Sequence, residues 1–234
     1  MAIRPIFNVS AHENSFVEVN LVDFKWFAGM SVSQKQKSIQ SLHSEVDLPF
    51  AEILEISSKS PETLGVDLSA FNLCFSHPKH NEPISVESAF QGSKVFPNSG
   101  PFHEIYGMTA REAKGFFKEK NLGSLSEFNF FGQNWSTRPY TLFYDWVYMQ
   151  TLHRNSDLVS QILQRSCFTD IEFNPKRSIN CQAYSAALYV ALSQKGLLER
   201  VLASKEDYIN LLGGNSDWVI EAGYGKFHPD KPLL

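Results

Sequence analysis

Glu87 and Lys94 are the residues of this sequence whose types and spacing most directly suggest chemistry. Both fall in residues 85–96, a segment that two prolines bracket and that we predict to be one helix. Seven residues make two helical turns to within about 20°, so both side chains would share one face at roughly 10 Å, with Gln91 between them. A carboxylate and an amine at that separation could flank a bound ligand.

A solvated charged face is the ordinary interpretation of a glutamate and a lysine on one helix. The neighbours of this pair argue against it, because most of them are apolar. They are Val86, Ala89, Phe90, Val95 and Phe96. We therefore expect the pair to lie in a cleft and not on an open surface.

The same segment resembles the core helix of the NADAR (YbiA-like) family, whose pattern is close to Val/Ser-Glu-His-Tyr-Phe-Gln-x-x-Lys-Phe. Glu87, Phe90, Gln91 and Lys94 match this pattern. Ser88 stands where the family usually has histidine. The resemblance implies that the matching polar residues lie at the functional site of the domain.

Three further blocks resemble the family in the same order. Residues 64–72 are similar to a Tyr-Gly-x-Phe-Ser-Asn-Phe-like run, in which Gly65, Ser69 and Phe71 are the equivalents. Downstream, Asn134-Trp135 resembles an Asn-Trp pair. The last block, residues 170–174 followed by Asn180, is similar to an Asp-x-x-Trp-Gly ending but lacks its tryptophan and glycine.

Other stretches are most similar to the antitoxin branch of this family, which is encoded beside DarT-type DNA ADP-ribosyltransferase toxins. These stretches are residues 26–39, 56–60 and 168–176. The resemblance implies a predominantly helical α+β fold: a single NADAR-like domain with a small β-containing extension. We expect the extension at residues 1–50, the catalytic core at 51–200 and a C-terminal tail at 201–234.

The resemblance also implies a function. An antitoxin of this branch would hydrolyse the N-glycosidic bond that joins ADP-ribose to guanine in single-stranded DNA, releasing ADP-ribose, and it could contact its cognate toxin. It would need no metal or cofactor. Two alternatives stay open: a YbiA-like N-glycosidase that acts on ribosylaminopyrimidine intermediates of the riboflavin pathway, and a non-catalytic antitoxin that binds the toxin or the adduct.

Cleavage of an N-glycosidic bond passes through an oxocarbenium-like state, which negative charge stabilises. We expect Glu87, Lys94 and Asp170 to be catalytic, with Glu172 as a further acid. If residues 168–173 are extended, Asp170 and Glu172 would point to one face; Asp170 could instead cap a helix or turn. Lys94 could bind the pyrophosphate or attack the opened ribose to form an imine.

The residues expected to bind substrate come from several parts of the chain. Ser57, Lys59 and Ser60 form a loop suited to an anion, and Trp135 could stack on guanine or lie in the core. A basic run with Lys25, Lys35 and Lys37 lies near Trp26 and could contact the DNA strand or be solvated. The full predicted binding set is Ser57, Lys59, Ser60, Gly65, Ser69, Phe71, Asn72, Gln91, Trp135, Glu172 and Asn180.

Composition limits the partners. The chain has 234 residues, a net charge of −4 and a pI near 6.0, which suits one domain without a broad basic surface, so contact with DNA would be local. Its three cysteines lack metal-binding spacing and are expected to be reduced thiols in the cytoplasm. We expect neither secretion nor membrane insertion, because no long apolar segment is present.

The elements that must position these residues follow from periodicity and end signals. Alternation predicts strands at 3–9 and 16–24, and residues 50–57 read as a strand or short helix that leads into a loop at 57–65. The predicted helices are 33–43, 109–120 with a capping box, 140–153, 157–164 and a buried helix at 181–198. Residues 199–234 show no pattern that indicates a role.

Overall fold

The computed structural model describes residues 1–118, 120–175 and 178–213. The glycine-containing segment expected as the end of a C-terminal tail, residues 214–234, lies outside the described residues. In the described part the strands are β1 (Ala2–Val9), β2 (Val17–Phe24), β3 (Ile53–Glu55), β4 (Cys74–Phe75), β5 (Ile84–Ser85), β6 (Lys94–Val95), β7 (Glu127–Phe130), β8 (Gln133–Ser136) and β9 (Cys167–Thr169).

The helices of the described part outnumber the long strands. They are α1 (Val32–His43), α2 (Thr63–Asp67), α3 (Val86–Gly92), α4 (Ala110–Gly115), α5 (Leu142–His153), α6 (Ser156–Ile162), α7 (Gln182–Gln194), α8 (Leu198–Ala203) and α9 (Lys205–Leu212), with 3₁₀ turns at Phe50–Glu52 and His103–Gly107. The fold is therefore α+β, as the sequence predicts.

A four-stranded sheet with the order β2-β1-β9-β3 forms the centre. Strand β1 is antiparallel to both β2 and β9, whereas β3 runs parallel to β9. Adjacent residues of β1 contribute to different hydrophobic clusters. Ile6 packs with residues of α1, and Phe7 packs in the main cluster with residues of α5 and α7. Successive side chains of a strand point to opposite faces, so helices cover both faces of this sheet.

Strand pairing joins the N-terminal region to the rest of the fold. Strand β1 pairs directly with β9 through Phe7 and Asn8, so residues 1–50 share the central sheet with the rest of the domain. At the other end, the described part of the expected tail forms α9, whose buried Tyr208 donates a hydrogen bond to the Leu142 carbonyl at 2.9 Å. Residues 2–9 and the described residues of α9 thus both pack against the same core.

Helix α3 is shorter than the sequence predicts. It ends at Gly92, and Ser93 closes it by donating its hydroxyl to the Ala89 carbonyl at 2.7 Å. Lys94 then begins β6 and pairs with Phe128 of β7. The expectation that Glu87 and Lys94 share one helical face is wrong, because pairing with a distant strand overrides the local helical pattern after Gly92.

Other boundaries also reflect local end signals. Helix α1 begins after Ser31, whose hydroxyl accepts from the Gln34 amide, and α4 has the predicted capping box between Thr109 and Glu112. That helix ends at Gly115, well before the predicted residue 120.

The cysteines are free thiols. Within the described ranges, none of the helices has the length and apolar character needed to cross a bilayer.

Candidate functional site

A cavity of about 680 Å³ lies where the central sheet, α3 and α5 meet. Its wall includes Glu87 from α3, Tyr144 from α5 and the segment that follows β9. The N-terminal region closes one side with Arg4, Trp26 and Lys35. Most of the predicted site residues line it: Ser57, Lys59, Ser69, Phe71, Glu87, Gln91, Asp170, Glu172 and Asn180.

Glu87 is held at the cavity by its position in the first turn of α3. Its amide donates to the Ala70 carbonyl at 2.9 Å, and Gln91 one turn later donates its Nε2 to Glu87 Oε1 at 3.0 Å. The side chain is buried except for the part that faces the cavity. Ser88, which replaces the family histidine, points elsewhere and bonds Ser85 and the Met108 carbonyl.

Lys94 lies just behind the cavity wall and is only 2% exposed. Its Nζ is 5.2 Å from the ring centroids of both Phe90, a wall residue, and Phe117. Burial lowers the Lys94 pKa to about 8, and the negative charge of Glu87 opposes this shift. A substantial fraction of the amine is therefore neutral near physiological pH, as an attacking lysine requires.

Asp170 lies at the cavity in a turn that begins where β9 ends. Its Oδ1 accepts from the Glu172 amide at 2.9 Å and from the Phe173 amide at 3.1 Å. The expectation of an extended segment at 168–173 is therefore wrong beyond Thr169, because these bonds fold the chain into an Asx-type turn. Burial and, secondarily, the charge of Glu55 raise the Asp170 pKa to about 8. At neutral pH this carboxyl keeps its proton.

Glu172 and the predicted basic run meet at the rim. Lys35 Nζ lies 3.1 Å from Glu172 Oε1, so this lysine is paired and mostly buried. Its Nζ also lies 4.9 Å from the Trp26 ring centroid. Lys25 stacks on Phe27 at 5.0 Å. Of the predicted basic run, only Lys35 lines the cavity together with Trp26.

Four predicted binding residues besides Lys94 lie outside the cavity wall. Trp135 packs in the aromatic core against Phe143 and Trp146, the alternative that the sequence left open. Asn72 is exposed and donates to the Val66 carbonyl at 2.9 Å. The other two, Ser60 and Gly65, are buried beneath the loop that carries Ser57 and Lys59.

Close packing explains why residue 65 is glycine. A Cβ at this position would collide with the Glu55 carbonyl oxygen and with the Ser60 hydroxyl. The close approach of α2 to the end of β3 therefore requires glycine. Gly65 shapes the loop that presents Lys59 without facing the cavity itself.

Gln182 is a site residue that the sequence did not reveal. Its Nε2 donates to the Ile56 carbonyl at 2.7 Å, and its Oε1 accepts from the Ala70 amide at 2.7 Å. It also hydrogen-bonds the Asp170 carboxyl. One amide thus ties together three segments of the wall. A single glutamine at a helix start carries no sequence signal for such a role.

The cavity wall also carries positive charge that the sequence analysis did not assign. Arg4, Lys114 and Lys118 line it together with Lys59. Lys114 Nζ lies 5.3 Å from the ring centroid of Phe71, another wall residue. Several cations around one cavity beside aromatic faces suit an anionic ligand with flat rings.

In the part of the chain that the structure describes, no three or more histidine, cysteine or acidic side chains are grouped so that they could hold a metal ion. The α+β fold is compatible with a single NADAR-like domain. The family model of the DarT1-associated NADAR antitoxins matches residues 2–218, and the chain belongs to this family. No curated protein matched the sequence.

Proposed function

We propose that this antitoxin hydrolyses the N-glycosidic bond between ADP-ribose and guanine in single-stranded DNA, reversing the modification made by a DarT-type toxin. The observation that carries the proposal is the convergence of Glu87 and Asp170 on one cavity whose wall also carries the lysines Lys59, Lys114 and Lys118. This pairing of acids with cations suits a substrate that has a diphosphate and a scissile glycosidic carbon.

The diphosphate would bind on the cationic side of the cavity. Lys59, Lys114 and Lys118 supply charge there, and the hydroxyl of Ser58 lies in the same wall, whereas the Ser57 hydroxyl donates to Glu55. Ammonium groups and hydroxyls both donate hydrogen bonds to phosphate oxygens. Binding energy from the diphosphate, remote from the reacting carbon, would hold the ribose in position.

The two acids would have different tasks. Asp170, whose pKa is raised to about 8, holds a proton at neutral pH and can give it to the departing guanine nitrogen. Glu87 supplies negative charge beside the ribose carbon as positive charge develops there. Gln91, bonded to Glu87, fixes the direction of that carboxylate.

Lys94 would supply the amine. The ribose ring opens as the C1′–O4′ bond breaks and the proton of the guanine nitrogen that bears the ribose passes to O4′. Nζ then adds to C1′, and guanine leaves with the proton of Asp170, which produces a protonated imine between C1′ and Lys94. Water adds to C1′ and returns one proton to Asp170; the C1′–Nζ bond breaks as the remaining proton of that water passes to Nζ, and the ribose closes again through O4′. Nζ lies 5.2 Å from the ring centroid of Phe90, which lines the cavity, so the amine would approach C1′ from beside this ring.

The test is release of ADP-ribose from a single-stranded oligonucleotide that carries ADP-ribosylated guanine. We expect free ADP-ribose and unmodified DNA, measured by mass spectrometry. Release from ribosylaminopyrimidines alone would favour the riboflavin-pathway alternative. No release from either substrate, together with tight binding to the modified DNA or to the toxin, would favour a non-catalytic antitoxin.

A further inference from the structure

Three buried side chains form a hydrogen-bonded chain beside Asp170 that the proposed mechanism does not use. His43 ends α1, Thr169 ends β9 and Glu55 ends β3. His43 Nε2 lies 2.9 Å from Thr169 Oγ1, and Thr169 Oγ1 donates to Glu55 Oε2 at 2.6 Å. Polar groups buried this deeply are costly unless each has a partner, so their arrangement calls for a physical explanation.

The direction of the chain follows from proton counting. A threonine hydroxyl has one proton, and here it goes to Glu55. The histidine Nε2 must therefore carry a proton and donate it to Thr169. Burial lowers the His43 pKa to about 4, in agreement with a neutral ring.

Glu55 accepts hydrogen bonds from the residues on both sides of Asp170, from a side chain on one side and from the backbone on the other. While Oε2 accepts from the Thr169 hydroxyl, Oε1 accepts from the Ile171 amide at 2.8 Å. Asp170 lies between these two residues, and its turn directs the carboxyl into the cavity. A shift of the Glu55 carboxylate would thus move the turn that aims Asp170.

We propose that Glu55 is a positioning residue for the hydrolysis: it fixes the turn that carries Asp170, and its negative charge keeps the proton on the Asp170 carboxyl. This inference rests on the proposed function. Burial also raises the pKa of the Glu55 carboxyl, but hydrogen bonds from Thr169, Ile171 and Ser57 oppose that shift. Two interacting buried acids do not both ionise easily, and we assign the charge to Glu55 because three donors hold its carboxylate. The proton then stays on the member that faces the cavity.

After burial, the charge of Glu55 contributes most to the raised pKa of Asp170, and the other titratable groups nearby are neutral or act elsewhere. They come from the packed elements and from its own turn: Tyr144, Tyr148, Cys181, Glu87 and Glu172. Burial raises the pKa of both tyrosines and of the cysteine, so these three are neutral. Glu172 is paired with Lys35, and the negative charge of Glu87 acts on Lys94 and Tyr144.

Glu55→Gln is the direct test. The glutamine oxygen can accept from Ile171, and its amide can donate to Thr169, which then donates to a His43 ring protonated at Nδ1. The variant therefore removes charge while the hydrogen-bonded chain survives in the reverse direction. We expect the titration midpoint of the Asp170 carboxyl to fall by about one pH unit. NMR of ¹³C-labelled aspartate follows this titration, and the Asp170→Asn variant identifies the signal.

The same change should appear in catalysis. For hydrolysis of ADP-ribosylated guanine DNA, we expect kcat/KM of Glu55→Gln to be roughly fivefold below wild type at pH 8 and within about twofold at pH 6. A uniform loss at both pH values with an unmoved Asp170 signal would overturn the proposal. The NMR titration needs no substrate, so it tests Glu55 even if the proposed hydrolysis is absent.

Two variants of Thr169 test the same proposal if Glu55→Gln does not fold. Thr169→Val removes the hydroxyl that stabilises the charge of Glu55, so Glu55 takes up a proton more readily and the Asp170 midpoint should fall. Thr169→Ser keeps the hydroxyl and should retain the wild-type midpoint. Equal midpoints in the valine and serine variants would contradict the proposed role.

Discussion

Glu87 and Asp170 line the same cavity although the first lies on α3 and the second follows the distant strand β9. Gln182 strengthens this relationship, because it bonds both the Asp170 carboxyl and the Ala70 amide, and the Ala70 carbonyl in turn accepts from the Glu87 amide. The two acids are therefore linked through two intervening residues. Substitutions at these residues can therefore test the role of each acid.

Glu87→Gln should lower kcat on ADP-ribosylated guanine DNA by about 100-fold or more, because the charge that stabilises the transition state is lost while the shape is kept. Circular dichroism and the melting temperature should stay close to wild type. Glu45→Gln, at an exposed residue outside the cavity, is the matched control and should be fully active. Equal activity of the two variants would remove Glu87 from the mechanism.

Lys94 should form a covalent imine with the ribose during turnover. Borohydride added to the reacting mixture should trap an adduct with the mass of reduced ADP-ribose on the peptide that contains Lys94. Lys94→Ala should give no adduct and almost no turnover. If no adduct forms and Lys94→Arg remains active, the lysine acts only through its charge.

The dependence of kcat/KM on pH should be bell-shaped with a maximum near pH 8. The lysine must be neutral to attack, so activity rises as pH approaches the Lys94 pKa of about 8. Asp170 must be protonated to donate, so activity falls as pH exceeds its pKa, also about 8. Asp170→Asn should abolish the alkaline limb, and a wild-type profile that is flat between pH 6 and pH 10 would contradict both assignments.

Lys114→Ala should weaken substrate binding more than chemistry. Loss of one charged contact to the diphosphate is expected to raise KM about tenfold with kcat within about twofold of wild type. The effect should shrink as salt concentration rises. Lys79→Ala is a matched control, because this exposed lysine does not line the cavity. An unchanged KM for Lys114→Ala would place the diphosphate elsewhere.

His43 should make the fold less stable in acid. Its pKa is lowered from 6.5 to about 4 in the folded protein, so the unfolded chain binds the proton first as pH falls. The His43 contribution is intact above pH 6.5 and decreases down to about pH 4, a loss on the order of 3 kcal/mol. Urea unfolding should show a shallower pH dependence for His43→Gln than for wild type, whereas His12→Gln, at an exposed histidine, should match wild type.

The sequence by itself determined the features that local rules govern. Alternation located β1 and β2, end signals located α1 and the capping box at Thr109, and the motif blocks placed Glu87 and Asp170 among the site residues. These features depend on neighbours a few residues away, where periodicity and capping leave a readable pattern.

Only the tertiary structure decided which distant groups meet. The bond between Thr169 and Glu55 spans 114 positions and that between Gln182 and Ile56 spans 126, so neither leaves a periodic trace in the sequence. Pairing with Phe128 likewise moved Lys94 from a predicted helix to β6. Burial at these meeting points, which is a property of the packed chain, sets the pKa values of Lys94 and Asp170.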